Sequence, residues 1–193
     1  MRVFWSIPIN INDIKIYLDF IKNNKDIDID LNVIKFVPEE NLHVTLHFLG
    51  DLDKELAIEV SDRVNEFYNN NKNKFNNFEL NISDIGFLDS FNNKALVLFI
   101  NPNKKLTDLY NILGDILKNK NIKNINLENS KYLPHITIGK IKNTDVNNDI
   151  VLNIDRYLFS NNKIKVCSFE FIESILGQSG SRYNKIISWN LNY

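Results

Sequence analysis

The sequence predicts an α+β fold of two similar lobes, and three observations carry that prediction. Apolar runs of strand character alternate with amphipathic helical stripes along the 193 residues. A strand pattern with polar groups at every second position occurs twice, as His43-Val44-Thr45-Leu46 and as His135-Ile136-Thr137-Ile138, 92 positions apart. The flanking elements follow the same order in each half: strand, helix, His-x-Thr strand, helix, strand. Similarity at one period implies a duplicated unit, so a single domain over 1–193 is expected, with a pseudo-twofold relation setting the two His-Thr faces opposite each other across a cleft.

The elements follow in chain order. Val3 to Ile9 reads as a buried strand. A helix capped by Asn12 or Asp13 follows, with Ile14, Tyr17, Leu18 and Ile21 on one stripe. Leu31 to Val37 reads as a strand before the His43 strand, which Gly50-Asp51 ends. Asp53 caps a second helix with Leu56, Val60, Val64 and Phe67 on its apolar side. Phe78–Leu88 and Lys94–Ile100 form a hairpin, and Pro102-Asn103 opens a third helix carrying Leu106, Leu109, Tyr110, Leu113, Ile116 and Leu117. After the His135 strand come a fourth helix from about Asp145 to Phe159 and strands at Lys163–Leu176 and Arg182–Asn190. The glycine-bearing loop 177–181 between those strands permits close backbone approach to a ligand.

Composition narrows the function. A net charge of −1 excludes a long basic groove, so an RNA ligand would be held locally, at an end or a single nucleotide. The one cysteine, Cys167, cannot form an internal disulfide, and Val166 and Phe169 beside it suggest a core position. The N-terminal apolar run is too short for a signal peptide and no segment reaches the roughly 18 apolar residues of a membrane span, so a cytoplasmic location is expected.

His43 and His47 are four apart, the spacing of helical zinc ligands. On a strand that spacing separates the side chains by about 13 Å, too far to share an ion, and no metal or other cofactor is expected. His47 has Gly139 as its counterpart in the second copy and is read as a cleft-rim or solvent residue; Phe48 alternates onto the core face. Two facing histidines suit a reaction that takes a proton at one point and gives one at another, because imidazole titrates near neutrality. Phosphodiester cleavage is such a reaction, and Thr45 and Thr137, leaving the same faces as the histidines, could hold the non-bridging oxygens.

These residues resemble a known family. Asn41-Leu42-His43-Val44-Thr45-Leu46 with Phe48-Leu49-Gly50, and Pro134-His135-Ile136-Thr137-Ile138, look like the paired His-x-Thr-x motifs of the 2H phosphoesterases, specifically the RNA 2',3'-cyclic phosphodiesterases, also called 2'-5' RNA ligases. The opening Met1-Arg2-Val3-Phe4 and the Ser179-Gly180-Ser181-Arg182-Tyr183 hairpin extend the resemblance over nearly the whole chain. It implies two antiparallel sheets with outer helices and metal-independent hydrolysis of a terminal 2',3'-cyclic phosphate to a 2'-phosphate. It further implies His43 as proton donor, His135 as proton acceptor, and a reverse 2'-5' ligation; the near-symmetric halves do not themselves separate donor from acceptor. Arg182 is a candidate phosphate ligand or the partner of a carboxylate such as Glu173, and Tyr132 and Tyr183 are candidates for base stacking. The expected partners are RNA 3' ends or small 2',3'-cyclic nucleotides, with no membrane and a monomeric chain. Two other readings stand beside this one: a phosphodiesterase for another small cyclic phosphate, and a non-catalytic nucleotide-binding module.

Overall fold

The computed structural model describes residues 1–23, 31–90, 93–118, 132–142, 162–177 and 180–192. In chain order its elements are β1 (Arg2–Pro8), α1 (Ile11–Asn23), β2 (Lys35–Phe36), β3 (His43–Asp51), α2 (Lys54–Asn70), β4 (Phe78–Ser90), β5 (Asn93–Ile100), α3 (Lys104–Lys118), β6 (His135–Lys142), β7 (Lys163–Val166), β8 (Ser168–Gly177) and β9 (Gly180–Asn190).

Local chemistry sets the helix boundaries. Asp53 accepts from the Leu56 amide at 2.7 Å to start α2, and the Asn103 side chain accepts from Leu106 at 3.1 Å to start α3. Such caps contribute about 1 kcal/mol each. Helix α1 begins earlier than Asn12 or Asp13, because the Asn10 side chain takes the Asn12 amide at 2.9 Å. The expected stripe of α1, Ile14, Tyr17, Leu18 and Ile21, is buried throughout. In α2 the buried side is Ala57, Val60 and Val64, with Leu56 and Phe67 packed partly against the core.

The strands pair antiparallel in the order β7-β4-β5-β6-β3-β1-β8-β9, with β2 added to β6. Two four-stranded halves, β7-β4-β5-β6 and β3-β1-β8-β9, thus abut at β3 and β6, and the described ladder between those strands is the single pair Val44–Ile136. The interior joins residues of both halves, among them Trp5, Phe171, Leu80, Leu98 and Ile136, all 1% exposed or less. Burial of each such side chain contributes about 1.5–3 kcal/mol. No helix among the described residues is long and apolar enough to cross a membrane.

Three expectations change. Leu31–Val37 is not one strand: a 3₁₀ turn at Leu31–Val33 precedes a two-residue β2 that pairs with β6, and Val37 after it donates to the Ile138 carbonyl at 2.9 Å. The single strand expected at Lys163–Leu176 breaks at Cys167, because β7 joins β4 in one half while β8 joins β1 in the other. Cys167 sits at that corner and is exposed, not a core residue. The fourth helix expected at Asp145–Phe159 lies outside the described residues.

Candidate active site

His43 is the first residue of β3 and His135 the first of β6. The Val44–Ile136 pair sets the register. One step to either side of an antiparallel pair, 43 meets 137 and 45 meets 135, so each histidine stands opposite the other motif's threonine on one face of the sheet.

Both rings are held the same way. His43 Nδ1 lies 2.7 Å from the carbonyl of Asn41, and His135 Nδ1 lies 2.8 Å from the carbonyl of Leu133, in each case two residues upstream. A carbonyl only accepts, so Nδ1 carries a proton and Nε2 is the atom left to exchange one. His43 Nε2 is 3.1 Å from Thr45 Oγ1. The His43 ring is also packed by Phe4 at 5.1 Å and edge-on by Tyr183 at 5.4 Å. Burial pushes the His43 pKa below the ordinary imidazole value; the Asn41 carbonyl opposes that shift, while the nearby charges of His135 and Lys140 add to it.

A cavity of about 350 Å³ opens on this face, lined by His43, Thr45 and Thr137 together with Lys35, Lys140 and Tyr183. Its walls are Phe36, Val37 and Pro38 on one side and Gly180 and Ser181 on the other. His135 is half-buried and faces Thr45 across the ladder, outside the residues lining this cavity. Two larger hollows, about 450 Å³ between α2 and α3 and about 550 Å³ beside Lys104 and Lys165, contain no histidine. Among the described residues no group of three His, Cys, Asp or Glu side chains could hold a metal ion.

Strict alternation fails just past each motif, for one physical reason. Trp5 pairs with His47 and Ser6 with Thr45, which leaves Leu46 as an extra residue in β3. Leu96 pairs with Gly139 and Val97 with Thr137, which leaves Ile138 extra in β6. A bulge reverses which face the following residues take. His47 therefore turns inward: it is 6% exposed, with Nε2 2.7 Å from the Tyr110 carbonyl and its ring stacked on Tyr110 at 4.0 Å. It is neither a rim nor a solvent residue. Phe48 turns outward, 38% exposed beneath the Arg2 guanidinium, and is not a core residue. The same reversal brings Lys140 onto the site face.

The remaining expectations divide. Tyr183 lines the cavity beside His43. Tyr132 does not: its hydroxyl donates to the Thr45 carbonyl at 3.1 Å, its ring stacks on Tyr110 at 4.1 Å, and burial raises its pKa strongly. It braces β3, with one ring face covered by Tyr110. Arg182 alternates away from Ser181 and Tyr183 and is exposed off the cavity, so the geometry gives it no phosphate contact. The cations of the cavity are instead Lys35 and Lys140. Sequence reasoning also passed over the Asn41 side chain, which donates to the Ser181 carbonyl at 3.1 Å and so ties β9 to the strand of His43.

The profile of the AKAP7 2'5' RNA ligase-like domain matches residues 3–174. An RNA 2',3'-cyclic phosphodiesterase of Aquifex aeolicus is 31% identical over 61% of this chain and 61% of its own length. A second, from Methanocaldococcus jannaschii, is 26% identical over 81% of this chain and 84% of its own. Escherichia coli LigT shares the fold, with a TM-score of 0.70 at 20% identity over 100% of this chain and 98% of that one, and has also been solved with 3'-AMP.

Proposed function

This chain belongs to the AKAP7 2'5' RNA ligase-like family of 2H phosphoesterases, and we propose that it hydrolyses terminal 2',3'-cyclic phosphates of RNA to 2'-phosphates by two-histidine acid–base catalysis. The observation that carries this reading is the matched pair of rings, each anchored through Nδ1 to its own strand so that Nε2 is left to exchange a proton, with a threonine hydroxyl two residues on.

In this reading His135 Nε2 takes a proton from water as the water oxygen attacks phosphorus. The bond from phosphorus to the ribose 3'-oxygen breaks, and His43 Nε2 gives its proton to that oxygen, leaving a 2'-phosphomonoester and a 3'-hydroxyl. Thr45 and Thr137 hold the non-bridging oxygens as charge builds on them. Burial favours neutral His43, whereas an anion against Nε2 favours the imidazolium. The proton His43 donates is thus acquired with the substrate. With a 5'-hydroxyl in place of water the same step gives a 2'-5' linkage: His135 takes the proton of the attacking hydroxyl, the bond from phosphorus to the 3'-oxygen breaks, and His43 gives its proton to that oxygen. We also propose that residues 1–193 are one unit built by internal duplication, supported by the pairing of positions 92 apart and by the bulges at Leu46 and Ile138, again 92 apart. A monomer in the cytoplasm, acting on RNA 3' ends or small cyclic nucleotides, fits this chemistry.

The test is incubation with an oligonucleotide ending in a 2',3'-cyclic phosphate in the presence of EDTA. A 2'-phosphate product is expected; no product, or strict dependence on added metal, overturns the reading. Calorimetry of 2'-AMP binding near pH 7 in buffers of different ionisation enthalpy should show net proton uptake, which His43→Gln removes.

A further inference from the structure

We propose that Lys35 and Lys140 form a second phosphate subsite, which takes the phosphodiester on the 5' side of the terminal nucleotide and makes the site select RNA chain ends over single cyclic nucleosides. The inference rests on the phosphodiesterase reading above and adds to it the substrate class.

The two lysines are direct partners in the β2–β6 ladder, Lys35 opposite Lys140 and Phe36 opposite Gly139. Like charges facing each other across a ladder are destabilising, and an anion between them offsets that repulsion. The pairing is built into the backbone. Strand β2 has only two residues, and a Cβ on Gly139 would stand 2.6 Å from Ile34 Cγ2, so β2 reaches this position only over a glycine. The bulge at Ile138 turns Lys140 to the same face as Thr137. Both lysines line the cavity of His43 and Thr137, and among its described lining residues none is Asp or Glu. Lys35 Nζ also reaches the opposite wall, 3.8 Å from where a Cβ on Gly180 would be. Thr137 pairs with Val97 and Lys140 with Ala95, so Lys140 stands two rungs, about 7 Å, along the ladder from Thr137. That separates the lysine pair from the reacting phosphate and suits a neighbouring one.

Three substrates isolate the effect: adenosine 2',3'-cyclic phosphate, its 5'-phosphorylated form, and ApA ending in a 2',3'-cyclic phosphate. The two carrying a second phosphate are expected to show kcat/KM about tenfold or more above the first, as one charge-assisted contact implies. Lys35→Gln should bring that ratio close to one, and Lys35→Arg should keep most of it. The salt dependence of log kcat/KM for ApA should also become shallower in Lys35→Gln, because one screened charge contact is lost. A 5'-phosphate that confers no advantage in the wild type, or an advantage that survives Lys35→Gln in a folded variant, overturns the inference alone. No turnover of any of the three overturns the reaction reading and this inference with it.

Discussion

The two ends of the catalytic face share a backbone plan and differ in what stands on it. Each half enters its strand with a histidine anchored through Nδ1, offers a threonine two residues later, and then bulges. Beyond the bulge the halves diverge. The inward position is His47 in β3 and Gly139 in β6, and the outward position is Phe48 and Lys140. One end is therefore aromatic under an arginine, and the other is cationic beside β2. The shared part holds the groups that one phosphate needs from both sides. The divergent part lies where the rest of a substrate would extend, and a pseudo-symmetric frame can still bind an asymmetric ligand.

The largest test of the shared part is removal of either ring. His43→Ala and His135→Ala should each lower kcat by about 10²–10⁴-fold with the melting transition little changed. A loss confined to one of them would break the equivalence of the halves. Thr45→Ala and Thr137→Ala should each cost about ten- to a hundredfold in kcat/KM, as expected of one hydrogen bond to a charged group. Thr45 also holds Nε2 of His43, so its variant alone should shift the acid limb of the pH–rate profile.

The divergent part is tested through stability. His47→Ala removes a ring stacked on Tyr110 and strands a buried carbonyl, and should cost about 3 kcal/mol in urea unfolding. Gly139→Ala should cost about 1–3 kcal/mol, because its Cβ meets Ile34 at 2.6 Å and β2 must give way. At Gly50, by contrast, a Cβ has no neighbour within 4 Å, so Gly50→Ala tests only the positive φ of 79°.

The smallest effect is that of pH. Burial lowers the pKa of both His43 and His47 in the folded chain. The unfolded chain then binds more protons as pH falls below about 6.5, so stability is full above that pH and declines below it toward the folded values. His47→Gln should flatten the decline measured by urea midpoints between pH 7 and 5. An unchanged slope would remove His47 from that account.

Much of this was legible in the sequence because the chemistry is written at fixed spacing. The His-x-Thr pairs, the caps at Asp53 and Asn103, and the buried stripe of α1 all follow from local periodicity and appear in the structure. What period-two counting cannot register is an extra residue. Leu46 and Ile138 look like ordinary inward positions, yet each shifts the strand after it, and that misplaced His47 and Phe48 and hid Lys140. The break at Cys167 was equally silent, since extended chain looks the same whether it stays with one partner strand or changes to another. Arg182 was read from its charge and the glycine-bearing loop beside it, and its parity on β9 faces it away.

The Nδ1 anchors carry one more implication. With that nitrogen committed to a carbonyl, each imidazole can load and unload only through a single atom, and so cannot pass a proton through itself. A ring that gives must later be refilled from the side on which it gave. If His43 donates and His135 accepts, each turnover leaves the pair in inverted occupancy, whether water or a 5'-hydroxyl attacked. Both rings must then be reset through solvent before the next RNA end can react, and that exchange becomes part of the turnover time.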